Sequence, residues 1–420
     1  AHAATCGRRV ALFEGNAEPG GRAQTREERG FLLNLGPHAL YNGGAGIPVL
    51  RELGVTWSGG SPRAGAAAAY LGGEIHALPT GARSLLASDL FGVRDRLEYG
   101  RVMARLAATG RSELAQVSLA EWLNGRVRRP RVRAVVDALF RVATYSNVPR
   151  HISAAAVLDQ WAVATKGVTY LHGGWRQLVQ GLRNAAESAG AAICPGAGVR
   201  SVWRGPAGFE LTFDGGRVVR APSVVVALPL HAAADVIIGP GRETFVAWAR
   251  AAVPSYVSVY DVALDALPEP SRPFAVGLDQ PFYLSVHTTV ARLAPEGQAL
   301  VSLARYNDID EDPDPALVKA ELGRMLDALQ PGWRERLLFE RFLPSMQVQS
   351  DVPRANAGGL GGRPGPSVPG VPGLFVAGDW VGPEGMLADA PLVSGREAGR
   401  LAAAAAALAT PAGEPATIAR

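Results

Sequence analysis

Glu14 ends a short apolar run, Arg8-Arg9-Val10-Ala11-Leu12-Phe13-Glu14. A carboxylate at the end of such a strand can accept hydrogen bonds from the vicinal hydroxyls of a nucleotide ribose. Pro19-Gly20-Gly21-Arg22 follows, where paired glycines let backbone close on a ligand and the guanidinium fork of Arg22 suits a pyrophosphate. Far along the chain, Gly373-Leu374-Phe375-Val376-Ala377 delivers Gly378 and Asp379 at the carboxyl end of a buried strand, where open α/β sheets place their ligands. Asp379 there can hydrogen-bond a polyol chain. A few residues on, Gly385, Met386 and Leu387 lead into a helix expected to begin near Met386, whose free N–H groups and positive end would favour negative charge. An acid for a ribose, an arginine for a pyrophosphate, an aspartate for a ribityl chain and a helix end for a reducible ring together describe FAD. A nicotinamide cofactor has no ribityl chain to occupy the last of these elements.

These residues need elements to hold them. The first residues read as the end of a helix capped by Gly7, then a strand, a glycine-rich turn and a second strand at 30–36 that runs into Gly36-Pro37-His38. From about 78 to 165 the pattern is helical, with apolar residues at Leu86, Leu90, Val93 and Leu97 and again from Val132 to Ala143. Gly173-Gly174 opens a further helix stopped by Gly190. An antiparallel meander follows, with strands at 199–204, 209–213 and 217–220, then a buried strand at 223–228. Strands at 256–262 and 299–306 and a helix from Pro315 to Leu329 precede a Gly/Pro-rich loop at 357–373. The fold expected is α/β: a discontinuous Rossmann-like FAD-binding domain (1–77, 168–230, 366–410) and an α+β substrate domain of mixed sheet and helices (78–167, 231–365). A frayed tail is expected at 411–420.

Composition excludes several classes. Hydrophobic residues make up 48% and charged residues 19% of 420, a globular balance. Net charge is only +4 and all but two of the basic residues are arginine, so no nucleic-acid partner is expected. The five arginines between Arg126 and Arg133 read as a solvated helix start, with contact to acidic headgroups as the alternative. Cys6 and Cys194 have no CxxC spacing, and no histidine pair has ligand spacing, so neither a metal site nor a disulfide framework is expected. His151, His172, His231 and His287 read as ordinary surface or core histidines, and Lys166 as a surface lysine. No apolar run approaches the roughly 20 residues needed to span a bilayer. The location expected is cytoplasmic, with peripheral contact at the inner membrane face.

The segments VALFEGNAEPGGRA, GFLLNLGPHALY and GLFVAGDWVGPEGMLADAPLVSGREAG resemble the phytoene desaturase branch of the amine oxidase and protoporphyrinogen oxidase superfamily, and TYLHGGWRQLVQGL, VRSV and VVVALP are similar to that family's second FAD-contacting region. The resemblance implies contacts to FAD at Glu14, Gly20, Gly21, Arg22, Gly36, Asp379 and Met386, and a backbone contact from Val199 to the adenine. Pro37 and His38 lie where the family's chain passes the flavin. The family's GxGxxG strand-turn-helix is not found, and it is expected upstream of Ala1. The activity implied is FAD-dependent removal of hydride from an apolar small molecule, by carotenoid-like desaturation or a related oxidation. Amine oxidation and a non-catalytic remnant of the fold stand as alternatives. No catalytic residue or general base is singled out, and the electron acceptor and oligomeric state stay open.

Overall fold

The computed structural model describes residues 1–62, 67–108 and 112–409. The expected tail at 411–420 lies outside them. A one-turn helix, His2–Thr5, is released near Gly7, whose φ of 75° lets the chain turn into the strand Ala11–Phe13. That strand pairs in parallel with Ala192–Cys194, Leu12 opposite Ile193. The helix Arg176–Ser188 leads into the latter, burying Leu178 and Ala186. A second parallel pair joins Val224–Val226 to Leu374–Val376. The expected meander is present as Val199–Gly205, Gly208–Phe213 and Val218–Ala221, with Gly215 at φ 75° in its second turn. Val202, Phe209, Phe213, Val226, Val376 and Trp380 share one core, so the remote 374–381 segment packs on the meander.

The other half is built on a seven-stranded mixed sheet. Its order is Leu337–Gln349, Ser255–Leu264, Ala299–Asn307, Phe282–Ser285, Phe274–Gly277, Ala67–Leu71 and Glu74–Ala77. Strand periodicity separates its two faces. Val257 and Val259 face a layer of helices that includes Pro130–Thr144 and Ala154–Ala164, while Tyr260, Val262 and Leu264 face the helix Pro315–Leu329. Both faces are covered, which is why Ser255–Leu264 is buried almost throughout. No helix among the described residues is long and apolar enough to cross a membrane.

Two local expectations change. The apolar series at 86, 90, 93 and 97 is not one helical face: Ala82–Ala87 and Val93–Ala108 are separate helices, because Ser88 is extended at φ −67°, ψ 128°. Leu90 is buried, but Leu86, Val93 and Leu97 are 72%, 71% and 56% exposed. The last helix starts at Asp389 rather than near Met386, because Leu387 adopts a left-handed φ of 51° that a right-handed helix cannot contain. The arginine run does start a helix, with Pro130 in its first turn. Its side chains are used locally: Arg129 pairs with Asp95, Arg133 with Asp137, and Arg131 donates to the Leu90 carbonyl.

Candidate functional site

Arg22 and Asp379, 357 residues apart, form a two-pronged ion pair: Nη2 donates to Oδ1 at 2.8 Å and Nη1 to Oδ2 at 3.2 Å. Arg22 Nη1 also donates to the Val348 carbonyl at 2.7 Å, tying in the seven-stranded sheet. Asp379 reaches this position because its strand ends beneath it: the Gly378 N–H donates to Ser394 Oγ and Trp380 Nε1 to the Leu228 carbonyl. Ser350 completes the carboxylate, its N–H donating to Oδ2 at 2.6 Å and its hydroxyl to Oδ1 at 3.1 Å. Each oxygen therefore already accepts two hydrogen bonds. The expected contact from Asp379 to a polyol hydroxyl needs one of these donors to give way.

The segment after Asp379 is strapped from below. The Gly382 N–H donates to the Pro364 carbonyl at 2.8 Å, and Arg363 Nη1 donates to the Gly385 carbonyl at 2.9 Å. A trans peptide is planar, so fixing the Gly385 carbonyl aims the Met386 N–H the opposite way. The N–H groups of Met386, Leu387 and Ala388 make no hydrogen bond among the described residues. Arg363 is only 7% exposed, with Nε and Nη2 unpartnered. Burial pulls its pKa down to about 10, against the opposing pull of Asp379 and Asp351. Asp389 accepts the Gly46 N–H at 2.9 Å, and its pKa is pushed up to about 6, chiefly by burial.

Glu14 directly follows the strand Ala11–Phe13. Its N–H donates to the Cys194 carbonyl and its own carbonyl accepts the Ala197 N–H at 2.7 Å, while its carboxylate holds Asn16 through backbone and side-chain donors. Gly15 and Gly198 meet closely, which brings Val199 beside Glu14. No hydrogen bond joins Glu14 to Asp379 among the described residues, but both lie on one core, since Phe13 stacks edge-on against Phe213 at 4.7 Å and Phe213 shares a cluster with Trp380. Gly20 is a packing glycine, its missing Cβ facing Val179 at 3.2 Å. A Cβ on Gly21 would meet nothing, leaving its surface open to a ligand.

Gly36 needs to be glycine for its φ of 83°; the space its missing Cβ would take is filled by the flexible end of Met346. Pro37 is buried, and His38 turns back so that Nδ1 lies 2.8 Å from the Gly36 carbonyl, its ring edge-on to Trp175. Burial lowers the His38 pKa and lowers that of His287 beside it to about 3. His287, read from sequence as an ordinary histidine, is 6% exposed, stacked on Tyr170 at 3.7 Å, with Nε2 unpartnered. It was hidden because no spacing marks it. Arg363 was hidden inside a Gly/Pro-rich loop. Lys166 is exposed and both cysteines are free, as expected. No group of three or more His, Cys, Asp or Glu side chains converges to hold a metal among the described residues.

This α/β frame, with its ligand-ready residues at strand ends, is that of an FAD-dependent oxidoreductase. A sequence profile described as "Flavin containing amine oxidoreductase" matches residues 4–405, and the chain belongs to that family. Similar solved structures include an oxidoreductase from Methanosarcina mazei (18% identity, covering 93% of this chain and 95% of that one, TM-score 0.71). Cyclohexylamine oxidase from Brevibacterium oxydans IH-35A is similar at 15% identity (97% and 96% covered, TM-score 0.64), and putrescine oxidase bound to putrescine at 16% (95% and 95%, TM-score 0.66). No curated protein matches in sequence.

Proposed function

We infer that this FAD-dependent oxidoreductase removes hydride from a carbon of a largely apolar, uncharged substrate. The observation that carries this reading is the Arg22–Asp379 pair set beside the unbonded N–H groups of Met386, Leu387 and Ala388. FAD fits these residues. Glu14 and Val199 would hold its adenosine end, Gly20, Gly21 and Arg22 its pyrophosphate, and Gly378 and Asp379 its ribityl chain. Gly36, Pro37, His38, Gly385, Met386 and Leu387 would line its ring. When bound, the flavin supplies the hydride acceptor. The protein orients the cofactor, keeps water out and offers amide donors where negative charge gathers on reduction, with the Arg363 cation behind them on the Gly385 carbonyl. The resemblance of GLFVAGDWVGPEGML to the phytoene desaturase branch favours desaturation of an isoprenoid-like chain. Amine oxidation is the second reading, supported by the activities named for cyclohexylamine oxidase and putrescine oxidase.

Flavin-loaded protein mixed anaerobically with candidate substrates tests the proposal, since turnover bleaches the visible flavin band. Bleaching by simple primary amines, with none by unsaturated neutral compounds, would overturn the reading in favour of amine oxidation. Exposed Leu86, Val93 and Leu97, with Arg83, Arg94 and Arg101 exposed on the same two helices, support peripheral contact with an anionic membrane as the route of an apolar substrate.

A further inference from the structure

Five tyrosines and a histidine from separate stretches of chain meet in the interior. Tyr145 stands at 6.2 Å from Tyr283 and 6.0 Å from Tyr306, ring centre to ring centre, and Tyr283 at 6.5 Å from Tyr306. Tyr170 interacts with Tyr283 and Ser285 and carries the stacked His287, while Tyr41 closes the group beside Gln160. Tyr41, Tyr170, Tyr283, Tyr306 and His287 are each at most 8% exposed. Tyr145 ends the helix Pro130–Thr144 in a left-handed conformation, φ 50° and ψ 40°, rare for a bulky residue and typical of functional sites.

A dry aromatic core would be built of phenylalanine. Here Tyr306 Oη and His287 Nε2 are both buried with no hydrogen-bond partner. Each unmet group of this kind costs about 1–3 kcal/mol, so two in one cluster mark a place that something else completes. The cluster borders the proposed flavin site at His38 and shares an apolar core with it. Met386 and Leu387 pack in the same apolar group as Tyr145, Tyr283 and Tyr306, and His287 lies beside His38. None of these side chains carries a charge at neutral pH, because burial holds the phenols protonated and the imidazole neutral. Arg141 is a cation near Tyr306, and it is itself balanced by Asp137.

We propose that this cluster is the substrate site, and that it takes an uncharged, flat, unsaturated molecule bearing at least one hydroxyl, carbonyl or other neutral hydrogen-bonding group. The proposal rests on the flavoenzyme reading above and narrows it. A pure hydrocarbon would leave Tyr306 and His287 unmet. Asp389 acts on Tyr41 alone, so among the described residues an alkylammonium ion placed between Tyr145, Tyr283, Tyr306 and His287 would meet no carboxylate.

Three fragment probes of similar shape separate these cases by titration calorimetry on the full-length protein: phenol, toluene and benzylammonium. Phenol should bind roughly tenfold more tightly than toluene, the size of one hydrogen bond to a buried unmet group, and benzylammonium should bind least. Tyr306→Phe deletes a hydroxyl without a partner, so the fold should be kept. It should erase phenol's advantage and leave toluene unchanged. Equal binding of phenol and toluene, tighter binding of benzylammonium, or a Tyr306→Phe protein that still prefers phenol would each overturn the proposal. Calorimetry does not depend on bound flavin. A protein that takes up no FAD but keeps the phenol preference would refute the flavoenzyme reading alone.

Discussion

Replacing Asp379 with asparagine probes the junction between the two ends of the chain. The carboxylate accepts four hydrogen bonds: one from each Arg22 nitrogen at 2.8 and 3.2 Å, and two from Ser350 at 2.6 and 3.1 Å. An amide nitrogen in the Oδ2 position would face two donors, Arg22 Nη1 and the Ser350 N–H. In the Oδ1 position it faces Arg22 Nη2 and the Ser350 hydroxyl, which can reverse and accept. The second orientation is favoured, leaving one donor–donor contact and one lost charge. A charge-assisted bond of this kind is worth about 1.5–3 kcal/mol. The Arg22 side chain is 36% exposed and can swing into water, which holds the expected loss near 2 kcal/mol. Because the chain has more than one core, unfolding should be followed by denaturant with and without FAD, rather than read as a single melting point. FAD affinity is measured alongside and should fall roughly tenfold or more, since the same pair positions Gly20–Arg22. Asp379→Asn, Arg22→Met and the double variant form a cycle whose coupling should be about 1–2 kcal/mol. A coupling below about 0.5 kcal/mol with unchanged FAD affinity would refute the idea that this pair joins the site.

Gly44→Ala should destabilise the protein severely, because the new Cβ would overlap the Asp389 carboxylate, itself fixed by the Gly46 N–H; loss of soluble expression or of the cooperative transition is the readout. Since the Asp389 pKa is raised from 3.8 to about 6, the native state binds the extra proton, so stability should fall as pH rises from about 4 to 6, by roughly 3 kcal/mol for a two-unit shift. Asp389→Asn should flatten that slope in denaturation curves taken across the range. His287 behaves oppositely. Its pKa is lowered from 6.5 to about 3, so the unfolded chain binds the extra proton and stability should fall as pH drops below 6.5, a loss that His287→Gln should remove. In flotation with anionic liposomes the protein should rise with the vesicles. Leu86→Ser, Val93→Ser and Leu97→Ser together should leave it at the bottom while preserving stability, because all three side chains face solvent.

Local chemistry was legible without the fold. The helix Pro315–Leu329 is placed by Pro315 at its start and its apolar period, and the meander at 199–221 by alternation and the Asp214-Gly215-Gly216 turn. Glu14, Gly21, Arg22 and Asp379 stood out because each combines an unusual residue type with a strand end or a glycine turn. The left-handed Leu387 was not legible, since nothing in its side chain asks for that conformation and only the surrounding packing imposes it. The amino-acid order by itself thus determined the α/β class and the FAD chemistry, because strand period, turn glycines and helix starts depend on neighbours a few residues apart. The fold alone decided that Arg22 meets Asp379, that Arg363 sits dry beneath Gly385, and that tyrosines at 41, 145, 170, 283 and 306 share one interior. Burial and unmet hydrogen bonds are properties of contacts between residues often more than a hundred positions apart, and such contacts exist only once the chain has closed on itself.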